Sequence, residues 1–154
     1  MRILTFLFAS SFSVSPVLNC LVTSGCPCGD ILDLAYNPKD MLYTKQIGCV
    51  RNVFCPIHYT TSVYSRMNES EIPQSLDVFP GEETFVFKTT MNYDSPGPAI
   101  DIFSYFGMVC ENNAWSVTKY PLGVSYFDYN AKSLTIGSSN EYNGKKSKIY
   151  NFVW

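Results

Sequence analysis

Residues 100–154 read IDIFSYFGMVCENNAWSVTKYPLGVSYFDYNAKSLTIGSSNEYNGKKSKIYNFVW, and this stretch decides the fold class. Short runs rich in β-branched and aromatic residues recur at 100–109, 115–120, 124–129, 133–137 and 148–154. Turn formers separate them: Glu111-Asn112-Asn113, Pro121-Leu122-Gly123, Asn130-Ala131-Lys132 and the segment 140–144. Within the last, Asn143-Gly144 is a strong two-residue hairpin signal, because such hairpins need positive φ at both central positions. Evenly spaced short strands with turns of this kind predict an all-β domain, a small antiparallel sandwich or barrel. No helical periodicity is sustained, and no repeat of about 20–50 residues is present.

The pattern extends upstream. Residues 57–65, IHYTTSVYS, predict a strand, and 84–91, TFVFKTTM, predict another with Phe85, Phe87, Thr89 and Met91 on one face by the two-residue period. Between them 66–83 is polar and acidic and reads as an exposed connection, and 92–98, NYDSPGP, as a turn cluster. Trp115 and the alternating aromatics of 103–129 are the expected heart of the core, with some tyrosines left facing solvent, where they are common at interfaces.

The chain has 154 residues, of which 46% are hydrophobic, 16% aromatic and 16% charged. That charged share is below the roughly 25% of an ordinary soluble domain. With 11 Tyr, 11 Phe and 2 Trp the chain has ample material for a core, which argues against intrinsic disorder. Eleven basic against 13 acidic residues argue against nucleic-acid binding.

Residues 1–18, MRILTFLFASSFSVSPVL, have a basic start at Arg2, a short apolar run from Ile3 to Ala9 and then small residues up to Pro16. This is the order of a secretory signal peptide. The apolar run falls short of the roughly 20 residues a membrane span needs. The expected division is a signal peptide at 1–19 and a single secreted, cysteine-rich β domain at 20–154. A cut before Gly25 would instead remove Cys20. No later stretch is predicted to cross a membrane: 99–109 is short and interrupted by Asp101.

The cysteines are Cys20, Cys26, Cys28, Cys49, Cys55 and Cys110. In an oxidising compartment they predict a disulfide framework. A Cys26–Cys28 bridge would be strained. Cys49 and Cys55 can close a small loop, or each can reach back to Cys26-Pro27-Cys28. Cys110, if paired with an early cysteine, closes the long loop that stabilises most, on the order of 4 kcal/mol. Neither Cys26-x-Cys28 nor Cys49-x5-Cys55 has the usual spacing of structural zinc ligands, so no metal site is expected. A thioredoxin-type Cys-x-x-Cys is absent.

Groups that carry catalysis are sparse. His58 is the sole histidine, and no Gly-x-Ser-x-Gly elbow accompanies it. Glu69/Glu71 and Glu82/Glu83 fall in the polar connection, where water keeps carboxylates ordinary, whereas a glycosidase pair needs a cleft. Asn92 and Asp94 are too few for calcium. Lys145, Lys146 and Lys148 form a small basic patch, read as the guarded flank of a sheet edge rather than an anion site. No catalytic residue and no cofactor is expected. Asn68-Glu69-Ser70 is an acceptor sequence for N-glycosylation.

Three local features carry a family resemblance: Cys26-Pro27-Cys28 soon after the signal peptide, the loop from Gly48-Cys49 to Cys55, and Cys110 followed by Trp115 and the Pro121-x-Gly123-Val124 turn. In these the chain resembles small secreted nematode proteins built on a six-cysteine domain of unknown function. The chain departs from that pattern, since no cysteine follows Trp115, so Cys110 pairs differently or Cys20 takes the missing partner's place. The resemblance implies an extracellular disulfide-bonded module and no enzymatic activity.

The expected function is that of a secreted, non-enzymatic module binding an extracellular protein or glycan. The rivals are a secreted hydrolase with a carboxylate site beside His58 and a secreted inhibitor or effector with a disulfide-framed loop around 49–55. A flat face with exposed tyrosines favours binding.

Overall fold

The computed structural model describes residues 25–54, 60–74, 77–81, 83–89, 99–137 and 140–153. The signal peptide expected at 1–19, Cys20, Cys55 and His58 lie outside the described residues. The fold is all-β and antiparallel. A hairpin of β1 (Leu42–Lys45) and β2 (Arg51–Phe54) precedes the strands β3 (Ser62–Ser70), β4 (Thr84–Lys88), β5 (Val109–Glu111), β6 (Ala114–Val117), β7 (Val124–Phe127), β8 (Ser133–Ile136) and β9 (Ser147–Val153). These seven form one open sheet in the order β5-β6-β9-β3-β4-β7-β8, with no closure into a barrel among the described residues. Over it lie the β1-β2 hairpin, a 3-10 turn at Ile31–Leu34 and one short helix, α1 (Ile102–Tyr105), which gives the layered, sandwich-like arrangement.

Alternation sets the inner face. Val63, Ser65 and Met67 of β3, Phe85 and Phe87 of β4, Val124 and Tyr126 of β7, Trp115 and Val117 of β6, and Ile149 and Phe152 of β9 are all buried. Ile102, Phe103, Phe106, Met108 and Tyr120 pack against them. Tyr120 meets Phe87 edge-on at 5.1 Å and Phe103 meets Trp115 at 5.8 Å, the perpendicular geometry that aromatic quadrupoles favour. The expected shared face of β4 is present for Phe85, Phe87 and Thr89; Met91 lies outside the described residues. A buried polar chain crosses this core. The Tyr120 hydroxyl lies 3.0 Å from the Lys145 carbonyl and 2.9 Å from Ser147 Oγ, which is 2.7 Å from Ser70 Oγ.

Three expectations are corrected. Residues 100–109 do not form one strand. Asp101 caps α1 by accepting from Phe103 N, and the same carboxylate accepts from Val53 N of β2 at 2.9 Å, a tertiary tie that favours a helical turn there. Gly107, at φ +56°, ends the turn where a Cβ would strike Thr118 Oγ1 at 2.7 Å. Second, Arg66–Ser70 belongs to β3, because its alternation of exposed Arg66 and Asn68 with buried Met67 continues that of 62–65. Third, Asn143-Gly144 joins no hairpin. β8 is an edge strand and β9 lies inside the sheet. The turn instead docks on the β6–β7 connection, with Asn143 Oδ1 accepting from Tyr120 N and Gly144 N donating to Thr118 O. The Asn112-Asn113 turn, with φ of 50° and 60°, does close the β5–β6 hairpin.

Disulfides attach the first described segment. Cys26–Cys49 ties it to the β1-β2 hairpin and Cys28–Cys110 ties it to β5. Asp30 adds a polar anchor, accepting from Leu32 N and from the Tyr43 hydroxyl at 2.7 Å and pairing with Lys45 at 2.5 Å.

Candidate functional site

The outer face of the sheet is built differently. On β3, Tyr64, Arg66 and Asn68 point away from the core, Tyr64 half-buried and the other two exposed. Their neighbours on β9 are set by an irregularity in the register. Tyr64 pairs with Asn151 but Ser65 pairs with Ile149, so Tyr150 is an extra residue. Such a bulge turns two successive side chains to one side and re-aims them. Ile149 and Phe152 stay in the core, while Tyr150, 38% exposed, and Asn151 both stand beside Tyr64.

The resulting cluster is aromatic and polar together. The Tyr64 and Tyr150 rings are 6.2 Å apart at 48°, and the Arg66 guanidinium lies 5.9 Å from the Tyr150 ring, within cation–π range. Asn151 Oδ1 is out of reach of water and has no hydrogen-bond partner among the described residues, a costly state for a buried acceptor. Lys148 pairs with Glu69 beside this group, and Ser125 and Thr135 hydroxyls pair across β7 and β8 at 3.0 Å.

At the Asn68 end lies an open cleft of about 320 Å³, lined by Met67, Asn68, Gln74, Val78, Phe79, Gly81 and Glu83. The segment 77–79 runs antiparallel to 127–129 through the bridge of Val78 with Asp128, which sets Phe79 opposite Phe127. The two rings are 42% and 43% exposed.

The residues singled out in the sequence fall into distinct places. Cys26, Cys28, Cys49 and Cys110 are structural bridges. The sulfurs of Cys26, Cys49 and Cys110 lie within 4.8 Å of one another, but as bridged sulfurs they offer no thiolate to an ion. Asn68 stands exposed on a strand rather than in a loop. Glu69 is engaged by Lys148, and Glu71 accepts from Lys146 N. Lys146 pairs with Glu111, which raises its proton affinity through the hydrogen bond and the charge. Two of the three patch lysines are thus paired with carboxylates, Lys148 with Glu69 on the adjoining β3 and Lys146 with Glu111 on β5.

Other shifted groups serve the framework. Burial pushes Tyr120 up to about 12, the charge of Glu71 adding to it and the Ser147 hydrogen bond opposing it. Burial, then the Asp30 hydrogen bond and charge, push Tyr43 up to about 12. Burial works to raise Asp30, but hydrogen bonds from Lys45, Tyr43 and Leu32 N and the Lys45 charge outweigh it and hold the carboxyl below its ordinary value. The Tyr64–Arg66–Tyr150–Asn151 cluster escaped the sequence reading; the alternation of 62–68 was a usable signal, the bulge was not.

The family described as TRA-1 regulated protein R03H10.4 matches residues 24–154. The chain belongs to that family. The TRA-1 regulated match takes in both disulfides, the bulge and the cleft, and it agrees with the resemblance to nematode proteins of unknown function. Neither the curated proteins nor the solved structures contain a match to this member of the TRA-1 regulated family.

Proposed function

We propose that this member of the TRA-1 regulated family is an exported, non-enzymatic module that acts by contact, and that the outer sheet face takes a glycan. Export is supported by the leader-like order of 1–18 and by the two disulfides, which persist in oxidising compartments. Among the described residues no helix is long and apolar enough to cross a membrane. The contact reading rests on one observation above all: a bulge turns Tyr150 and Asn151 outward beside Tyr64, next to Arg66. Sugar rings offer C–H faces that stack on the exposed Tyr150 ring, and hydroxyls that accept from the exposed Arg66 guanidinium beside it. The test is binding of the purified, oxidised chain to an array of neutral and acidic oligosaccharides. Retention of a defined set, weakened about tenfold or more by Tyr150→Ala and by Arg66→Ala, is the expected result. No retention, or retention indifferent to both variants, rejects the reading.

A second reading is favoured by the tip of the β1-β2 hairpin. Ile47 is 82% exposed there and Val50 48%, on either side of Cys49, which is stapled to Cys26. An apolar tip on a disulfide-held hairpin fits insertion into a groove of a partner protein, as an inhibitor or effector would do. Ile47→Asp abolishes such a contact and leaves glycan retention unchanged.

A further inference from the structure

We propose that Asn68 carries an N-linked glycan whose first N-acetylglucosamine lies in the adjoining cleft against Phe79, and that the glycan is attached before β3 closes against β9. The proposal rests on the export half of the function proposed above and is independent of the glycan-binding half. Three observations converge. Asn68-Glu69-Ser70 is an acceptor sequence, and Asn68 is exposed and lines the cleft. The cleft, at about 320 Å³, is at the small end of ligand sites and suits a single sugar. Its wall offers Phe79, 42% exposed, for stacking, with Gln74 and Glu83 for hydroxyls.

The third observation concerns timing. The Ser70 hydroxyl that an acceptor sequence must present is committed in the folded chain. It lies 2.7 Å from Ser147 Oγ in the β3–β9 seam and accepts from Ile72 N at 3.1 Å. Ser147 is fully buried and continues to Tyr120. Folding therefore withdraws Ser70, and modification belongs to the unfolded, emerging chain. In the transfer, Asn68 Nδ2 forms a bond to the anomeric carbon of a polyprenyl-diphosphate-linked oligosaccharide. The anomeric C–O bond breaks, the diphosphate leaves with its electron pair, and the amide gives up one proton to a base.

The experiment expresses the full chain in eukaryotic secretory cells and measures intact mass in the medium before and after enzymatic removal of N-glycans. The expected result is one glycan on the wild type, none on Asn68→Gln, and none acquired when folded, unmodified chain is offered to detergent-opened microsomes that do modify the same chain once it is reduced and unfolded. Seating in the cleft is read from the rate of enzymatic deglycosylation of the native protein, which Phe79→Ala accelerates about three- to tenfold. Exported, oxidised protein without a glycan overturns the proposal and leaves the export reading intact. Failure of export overturns that reading as well. Modification of the folded chain overturns the timing, and equal deglycosylation rates for wild type and Phe79→Ala overturn the seat.

Discussion

The two faces of the seven-stranded sheet are made from the same strands yet obey different rules. On the inner face β3, β4, β6, β7 and β9 bring Val63, Phe85, Phe87, Trp115, Val117, Val124, Ile149 and Phe152 to near-complete burial under α1 and Tyr120. Burial of that kind contributes on the order of 1.5–3 kcal/mol per large side chain and defines the fold. On the outer face the same β3 and β9 hold Arg66 and Tyr150 toward solvent beside a half-buried Tyr64 and an Asn151 whose Oδ1 is out of reach of water, with no partner among the described residues. The contrast teaches that the inner face accounts for folding and the outer face exceeds what folding requires. That surplus is the basis for assigning it a contact role.

The largest way to disturb this contrast is to loosen the cover of the inner face. Cys28–Cys110 fixes the first segment to β5 across a sequence separation of 82, against 23 for Cys26–Cys49. In the chain-entropy account, removing the longer link by Cys28→Ala with Cys110→Ala costs about 4.5 kcal/mol and removing the shorter one about 3.4. Denaturant unfolding of the two double variants checks both the size and the order; equal losses would show that strain or residual structure, rather than loop length, governs them.

Next comes the polar chain inside the core. Tyr120→Phe leaves the Lys145 carbonyl and Ser147 Oγ without this partner, and a loss of about 1–3 kcal/mol is expected in the same assay. The wild type also loses stability at high pH. Tyr120 and Tyr43 are pushed up to about 12 in the folded chain against 10.0 for the ordinary group. Above pH 10 the unfolded state has released those protons while the folded state still holds them. Their contribution is therefore complete below pH 10 and is lost as the pH climbs toward about 12. Thermal unfolding from pH 8 to 12 traces the loss, and Tyr120→Phe shows a shallower fall.

The smallest effect concerns a turn that belongs to neither face. Ala131 sits at φ 58° in the β7–β8 turn, where a Cβ is strained. Ala131→Gly raises stability by up to about 1 kcal/mol, seen as a small rise in melting temperature. A fall would mean that the added chain entropy of glycine exceeds the relieved strain.

Much of the inner face was legible in the sequence, and little of the outer one. The two-residue period of 84–89 places Phe85, Phe87 and Thr89 together because that face is buried and register is then strongly specified. The Asn112-Asn113 hairpin was legible because its backbone demand is local. The helix at 102–105 was hidden, since the Asp101 cap is shared with Val53 from a distant hairpin. The position of β9 inside the sheet was hidden too, because Asn143-Gly144 signals a turn without naming the strands it serves. The Tyr150–Asn151 bulge exists only where β9 meets β3. A contact site built from a register shift leaves no motif in the chain, whereas Cys26, Cys28, Cys49 and Cys110 announced their role by the cysteine clustering, though not their pairing.

Denaturant unfolding of Tyr64→Ala with Tyr150→Ala, set beside Phe87→Ala, tests most directly whether the two faces differ as described. Phe87→Ala is expected to cost about 3–5 kcal/mol through its cavity, and the outer-face pair less than about 1.5 in total through a lost cross-strand contact. An outer-face loss equal to that of Phe87→Ala would make Tyr64 and Tyr150 part of the folding core and remove the ground for a contact surface there.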